Sequence, residues 1–161
     1  MAHHFQQLAL LGIPFDENSS FEKGPAKAPA LIKKILTSGS LNAGTELGVN
    51  LKDNAQWIDG GEVSFDRAMH FNDQISRACD DLLEQNSVLL SLGGDHSVSY
   101  PIIKSYAKYF ESLTILHIDA HSDLYDSFKG NRYANACPFA RVMEDGLCKR
   151  LVQVGIRTLN E

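Results

Sequence analysis

Five short apolar runs recur along this chain, each separated from the next by an amphipathic or polar segment, and that alternation points to a parallel α/β sheet. The runs are 7–14 (QLALLGIP), 56–63 (QWIDGGEV), 87–92 (SVLLSL), 113–118 (LTILHI) and 151–156 (LVQVGI). The second contains a Gly pair that threatens to break it. Between them lie helical patterns. Leu31, Ile32, Ile35 and Leu36 share one stripe over 30–37, and Ile75, Ala78, Cys79, Leu82 and Leu83 share another over 71–85. Segment 98–110 tolerates Pro101 in its first turn, and 136–146 has Pro138 near its start and Gly146 as its stop. Segment 15–29 reads as a loop, and 41–54 resists assignment. Right-handed crossovers then give a three-layer αβα sandwich with a mainly parallel sheet. The last apolar run leaves that sheet incomplete at its C-terminal edge, so the expectation is that either a partner supplies the cover or this chain is part of something longer.

At 161 residues the chain is about one domain long, and its 43% hydrophobic content suffices for a packed core. Fifteen basic against 20 acidic residues give a net charge of -5, which argues against nucleic acid as a partner. No apolar run approaches the roughly 20 residues needed to span a bilayer, and no membrane partner is expected. The N-terminus lacks the pattern of an export signal. Three cysteines at irregular spacing form no disulfide framework, and they suit the cytoplasm. Cys137 reads as a small buried residue rather than a nucleophile.

The chemistry is concentrated after the third and fourth strands, in Gly93-Gly94-Asp95-His96-Ser97 and Asp119-Ala120-His121-Ser122-Asp123. Ligands of open α/β sheets gather outside the carboxyl ends of the strands. If these two consecutive strands are neighbours, their ends open into one crevice. In an extended segment, Asp119, His121 and Asp123 project to one side. Two carboxylates that close repel each other unless a cation or proton intervenes. A divalent metal held by His96, Asp119, His121 and Asp123 resolves that repulsion, and the absence of thiolate suits manganese, iron or zinc. Asp95 or Ser97 is also placed to cap the following helix. His117 is expected to be a hydrogen-bonded structural residue, His70 a surface residue or cap, and His3 and His4 part of a frayed terminus.

At these residues the chain resembles the ureohydrolase family, the arginase/agmatinase group of binuclear manganese enzymes. Gly12-Ile13-Pro14-Phe15-Asp16, the loop Ser20-Phe21-Glu22-Lys23-Gly24-Pro25, Gly60-Gly61-Glu62 and segment 151–157 (LVQVGIR) extend the likeness along nearly the whole chain. The resemblance implies that residues 1–161 are the N-terminal part of a single ureohydrolase α/β domain. It also implies hydrolysis of a small guanidino substrate to urea and an amine. His96 and Asp123 would hold one manganese ion, His121 the other, and Asp119 would bridge the two. Asp123 would also orient the attacking water. An agmatine-type substrate is favoured, with arginine the close competitor, since arginine adds an α-carboxylate that needs polar recognition. The complete protein is expected to be a homo-oligomer.

The chain departs from the family pattern in two places. The third signature, Ser-x-Asp-x-Asp, is absent, so four of the family's six protein ligands are present. Asn135, in Tyr133-Ala134-Asn135-Ala136-Cys137-Pro138-Phe139, stands where many members carry a proton-shuttling His. Asparagine hydrogen-bonds but does not titrate. Asn135 therefore enters the catalytic set as a hydrogen-bonding residue, or caps the helix that follows. Together the departures raise an alternative, a metal-binding but catalytically silent family member.

Overall fold

The computed structural model describes residues 5–158, so His3 and His4 lie outside the described residues. β1 (Gln7–Gly12), β2 (Trp57–Glu62), β3 (Ser87–Leu92), β4 (Thr114–Ile118) and β5 (Arg150–Val154) occupy the five apolar runs. They alternate with α1 (Ala28–Thr37), α2 (Phe71–Glu84), α3 (Ser99–Ala107) and α4 (Pro138–Glu144). All strand pairings between these elements are parallel, as the α/β reading requires. The Gly pair does not end β2. Leu10 faces Asp59 but Gly12 faces Glu62, so a bulge takes up the extra residue, with Gly61 at φ 76°. The unassigned stretch 41–54 holds an isolated bridge between Gly44 and Asn50 and a 3-10 turn, Leu51–Asp53. His70 does cap α2, its Nδ1 accepting from the Asn72 N–H at 3.3 Å.

The single sheet expected from consecutive pairing is not what forms. The strands divide into a three-stranded sheet in the order β2-β1-β3 and a two-stranded sheet of β4 and β5. β3 and β4 are therefore not hydrogen-bonded neighbours, since adjacency in sequence predicts adjacency in a sheet only about two-thirds of the time. What joins the sheets is a helical layer. β1 buries Ala9 and Leu11 against Ile75, Cys79 and Leu82 of α2, with Val98 just ahead of α3 in the same cluster. Tyr100 of α3 packs with Phe139 and Val142 of α4, beside Ile115 of β4 and Leu151 of β5. Ser76 Oγ donates to the Pro101 carbonyl and Ser105 Oγ to the Ser76 carbonyl, both at 3.2 Å, which ties α2 to α3.

On the other side of the sheets Leu10 of β1 is buried, but the faces of β3, β4 and β5 are apolar and uncovered. Leu116 and Ile118 are 62% and 73% exposed, and Leu90, Val152 and Val154 are exposed as well. The α1 stripe of Leu31, Ile32, Ile35 and Leu36 is also exposed rather than packed into a second full layer. Parallel strands are normally covered on both faces. No helix among the described residues is long and apolar enough to cross a membrane.

All three cysteines are free thiols, with Cys79 and Cys137 buried and Cys148 half-buried. Burial, with Asp80 nearby, pushes the Cys79 thiol up to about 12. Because the thiolate is the reactive form, a thiol reagent at about pH 8 should leave Cys79 unmodified in the native protein. Cys148 should react first; mass-spectrometric detection of early Cys79 labelling would contradict the packing of α2 on β1.

Candidate metal centre

The loop after β3 runs beneath the loop after β1. A Cβ on Gly94 would sit 1.9 Å from the Phe15 carbonyl oxygen, so only glycine fits. That same oxygen accepts the Asp95 N–H at 2.8 Å. Asp95 is 5% exposed and fully engaged. Its Oδ1 accepts from the Ser97 N–H at 2.9 Å and from Ser97 Oγ, and its Oδ2 accepts from the Asn18 N–H at 3.0 Å. Asp95 thus caps the 3-10 turn His96–Val98, as its position suggested, and staples the two loops together. Asp16 does similar work upstream, where Oδ2 accepts from the N–H groups of Gly24 and Ala26 and orders the loop into α1.

β4 stops at Ile118, and the extended run expected through Asp123 does not form. Asp119 Oδ1 accepts the His121 N–H at 2.8 Å, which folds the segment into a side-chain-supported turn, and Asp123 takes φ 51°. The period-2 alternation is therefore replaced by a turn. Asp123 still meets His96, with Oδ2 2.5 Å from His96 Nδ1. Ligand atoms of His96, His117, Asp119 and Asp123 all lie within 4.8 Å of one another. His121 stands outside that group, its side chain 62% exposed and its Nδ1 3.2 Å from Asp119 Oδ1.

His117, expected to be a hydrogen-bonded structural residue, is bonded to Gln153 Nε2 at 2.9 Å, and at 6% exposed it also belongs to the cluster. The signal that would have found it is the strand period, since His117 falls on the inward side of β4 with Ile115, two residues ahead of Asp119. Burial and the neighbouring His96 ring hold its pKa below the ordinary imidazole value. For Asp119, burial works against the charge, but the His121 N–H and ring together with the His96 and His117 imidazoles outweigh it. Its carboxyl is held below the usual range. The carboxylates of Asp119 and Asp123 beside the His96 imidazole, with no thiolate among them, fit a hard or borderline divalent cation.

Asn135 is anchored through its backbone, its N–H donating to the Asn18 carbonyl at 3.2 Å, while Oδ1 is buried without a partner among the described residues. It does not cap α4; Cys137 takes that position. Arg141, 4% exposed, donates to the carbonyls of Asp126 (2.6 Å) and Arg132 (3.0 Å) and pairs with Glu144 at 2.7 Å. These bonds pin the loop whose two flanks carry Asp123 and Asn135. A cleft of about 800 Å³ lies to one side of the metal-type cluster. Phe15, Asn18, His70 and Tyr133 line it, and none of the four clustered residues does. The Asn18 N–H on Asp95 connects the cleft wall to the His96 loop.

Residues 6–161 match the family model described as the Arginase family. The chain is 43% identical to "Arginase 1, mitochondrial" of Arabidopsis thaliana over 95% of this chain and 47% of that protein. It is 31% identical to the N(1)-aminopropylagmatine ureohydrolase of Thermus thermophilus over 96% of this chain and 52% of that protein. Among solved structures, the arginase from Medicago truncatula superposes with a TM-score of 0.87 at 38% identity, covering 96% of this chain and 51% of that one. The chain spans about half the length of the curated relatives it matches.

The loop crossing makes a sharp prediction about two adjacent glycines. Gly94→Ala should lower the unfolding free energy by about 3 kcal/mol or more, because the clash is with backbone. Gly93→Ala meets only Val98 Cγ2 at 3.0 Å and should cost about 1 kcal/mol. Urea denaturation of both variants checks the contrast.

Proposed function

The chain belongs to the arginase family, and on that premise we propose that it is the N-terminal part of a metal-dependent ureohydrolase domain that hydrolyses a guanidino compound to urea and an amine. The observation that carries this reading is the meeting of His96 and Asp123 at 2.5 Å from the tips of two separate sheets, with Asp119 beside them. His96, Asp119 and Asp123 would hold divalent cations, with His121, adjacent to Asp119, serving a second ion. Manganese suits this oxygen and nitrogen set. When bound, such cations supply the Lewis acidity that makes water nucleophilic near neutral pH.

The chain's own residues do the rest. The carboxylates of Asp119 and Asp123 attract the cationic guanidinium. Asp123 accepts a hydrogen bond from the attacking water and orients it. Asn135 offers hydrogen-bonding atoms at the site but moves no proton. The exposed apolar sheet face and the unpaired edges of β3 and β4 support completion of this domain by the other half found in its relatives, in a homo-oligomer. Three free thiols suit a cytoplasmic setting.

For the substrate, 43% identity to an arginase against 31% to an aminopropylagmatine hydrolase favours arginine over the agmatine-type compound expected from the motifs alone. Asn135 supports a second reading, a family member that binds metal without turnover. Urea release by the complete protein, assayed with manganese and either arginine or agmatine, separates them. Turnover of arginine is expected, and it should disappear on chelation. Asn135→His should raise kcat by about 10²-fold. An inert wild type that gains activity only in that variant would establish the silent reading.

A further inference from the structure

Gln153 of β5 stands directly across the ladder from His117 of β4. Its amide Nε2 lies 2.7 Å from the Ser122 carbonyl oxygen and 2.9 Å from His117 Nδ1. A carbonyl oxygen only accepts, so the amide atom facing it must be the nitrogen. The second hydrogen of that nitrogen then points at His117 Nδ1, which must offer a lone pair. An imidazole with a free Nδ1 lone pair carries its hydrogen on Nε2. That Nε2 is buried without a hydrogen-bond partner, and the group facing it is Asp119 Oδ2 at 3.8 Å. Asp119 Oδ1 is already engaged by the His121 N–H, leaving Oδ2 as the open acceptor. The Phe139 ring, 4.2 Å from the His117 ring, holds the imidazole in place.

We infer that His117 is a positioning residue, fixed by Gln153 as the Nε2–H tautomer and donating toward the Asp119 carboxylate. It therefore stands within the cluster without being a metal ligand, a clause that rests on the metal reading above. A nitrogen bearing hydrogen has no lone pair to give a cation. An N–H aimed at a ligating carboxylate instead orients it, a role whose loss commonly weakens metal affinity by about 10- to 100-fold. A shift of about 1 Å by either side chain brings the pair into hydrogen-bond range.

Long-range proton–nitrogen correlation spectra of nitrogen-15-labelled protein read the tautomer directly. Metal-free protein should show His117 with Nε2 protonated, and addition of zinc, used as a diamagnetic probe, should leave that hydrogen in place while the His96 ring signals move. An Nδ1–H tautomer, or loss of the Nε2 hydrogen when zinc binds, overturns the inference. His117→Phe should weaken zinc binding by about tenfold. His117→Gln, which keeps an N–H at the tip of the side chain, should recover most of that loss; equal losses in both variants would count against a donor role. If zinc fails to bind the wild type, the metal reading falls, and the metal-free spectrum alone decides the tautomer.

Discussion

The seating of α3 between α2 and α4 is the contact on which the arrangement of this molecule depends. Two sheets that share no hydrogen bond are bridged by Val98 and Tyr100, at the start of one short helical stretch, which are buried in different clusters. Burial of side chains of this size contributes roughly 1.5–3 kcal/mol each. The Tyr100 hydroxyl also donates to Asp145 Oδ2 at 2.6 Å, which fixes α3 to the end of α4. Because His96 lies in the turn that leads into α3, the helix packing places His96 against Asp123.

Around that meeting point, aspartates of the same two motifs do opposite work. Asp95 is wholly occupied by N–H and hydroxyl donors, and it is architecture. Asp119 and Asp123 keep acceptor capacity turned toward imidazoles. A carboxylate that is buried and saturated with backbone donors is stabilised as an anion without a cation. Carboxylates that lie close together with acceptor positions unfilled repel each other, and a bound cation relieves that repulsion. The distinction between neighbouring residues of the same type is therefore one of partners, not of position in the motif.

Much of the fold was legible from residue order. The apolar runs mark the five strands among the described residues, and β3 keeps the bounds read from its sequence, because an apolar stretch between polar segments has few other ways to be buried. The Gly pair in β2 was harder to read, since a bulge and a strand break share the same local signal. In the site, His96, Asp119 and Asp123 come together as their motifs suggested. His117 and His121 were harder to place. An extended segment and a turn put alternate residues on different sides, and the turn arises from one hydrogen bond, the His121 N–H on Asp119.

Sequence by itself determined the parallel α/β class, the strand and helix order, and which strand ends carry ligand-type side chains, because these follow from local hydrophobic period and side-chain chemistry. The tertiary structure decided that β3 and β4 lie in different sheets, that Gly94 must be glycine, and that His117 rather than His121 turns inward. Those outcomes depend on which surfaces pack across long stretches of chain, and no local pattern encodes that competition.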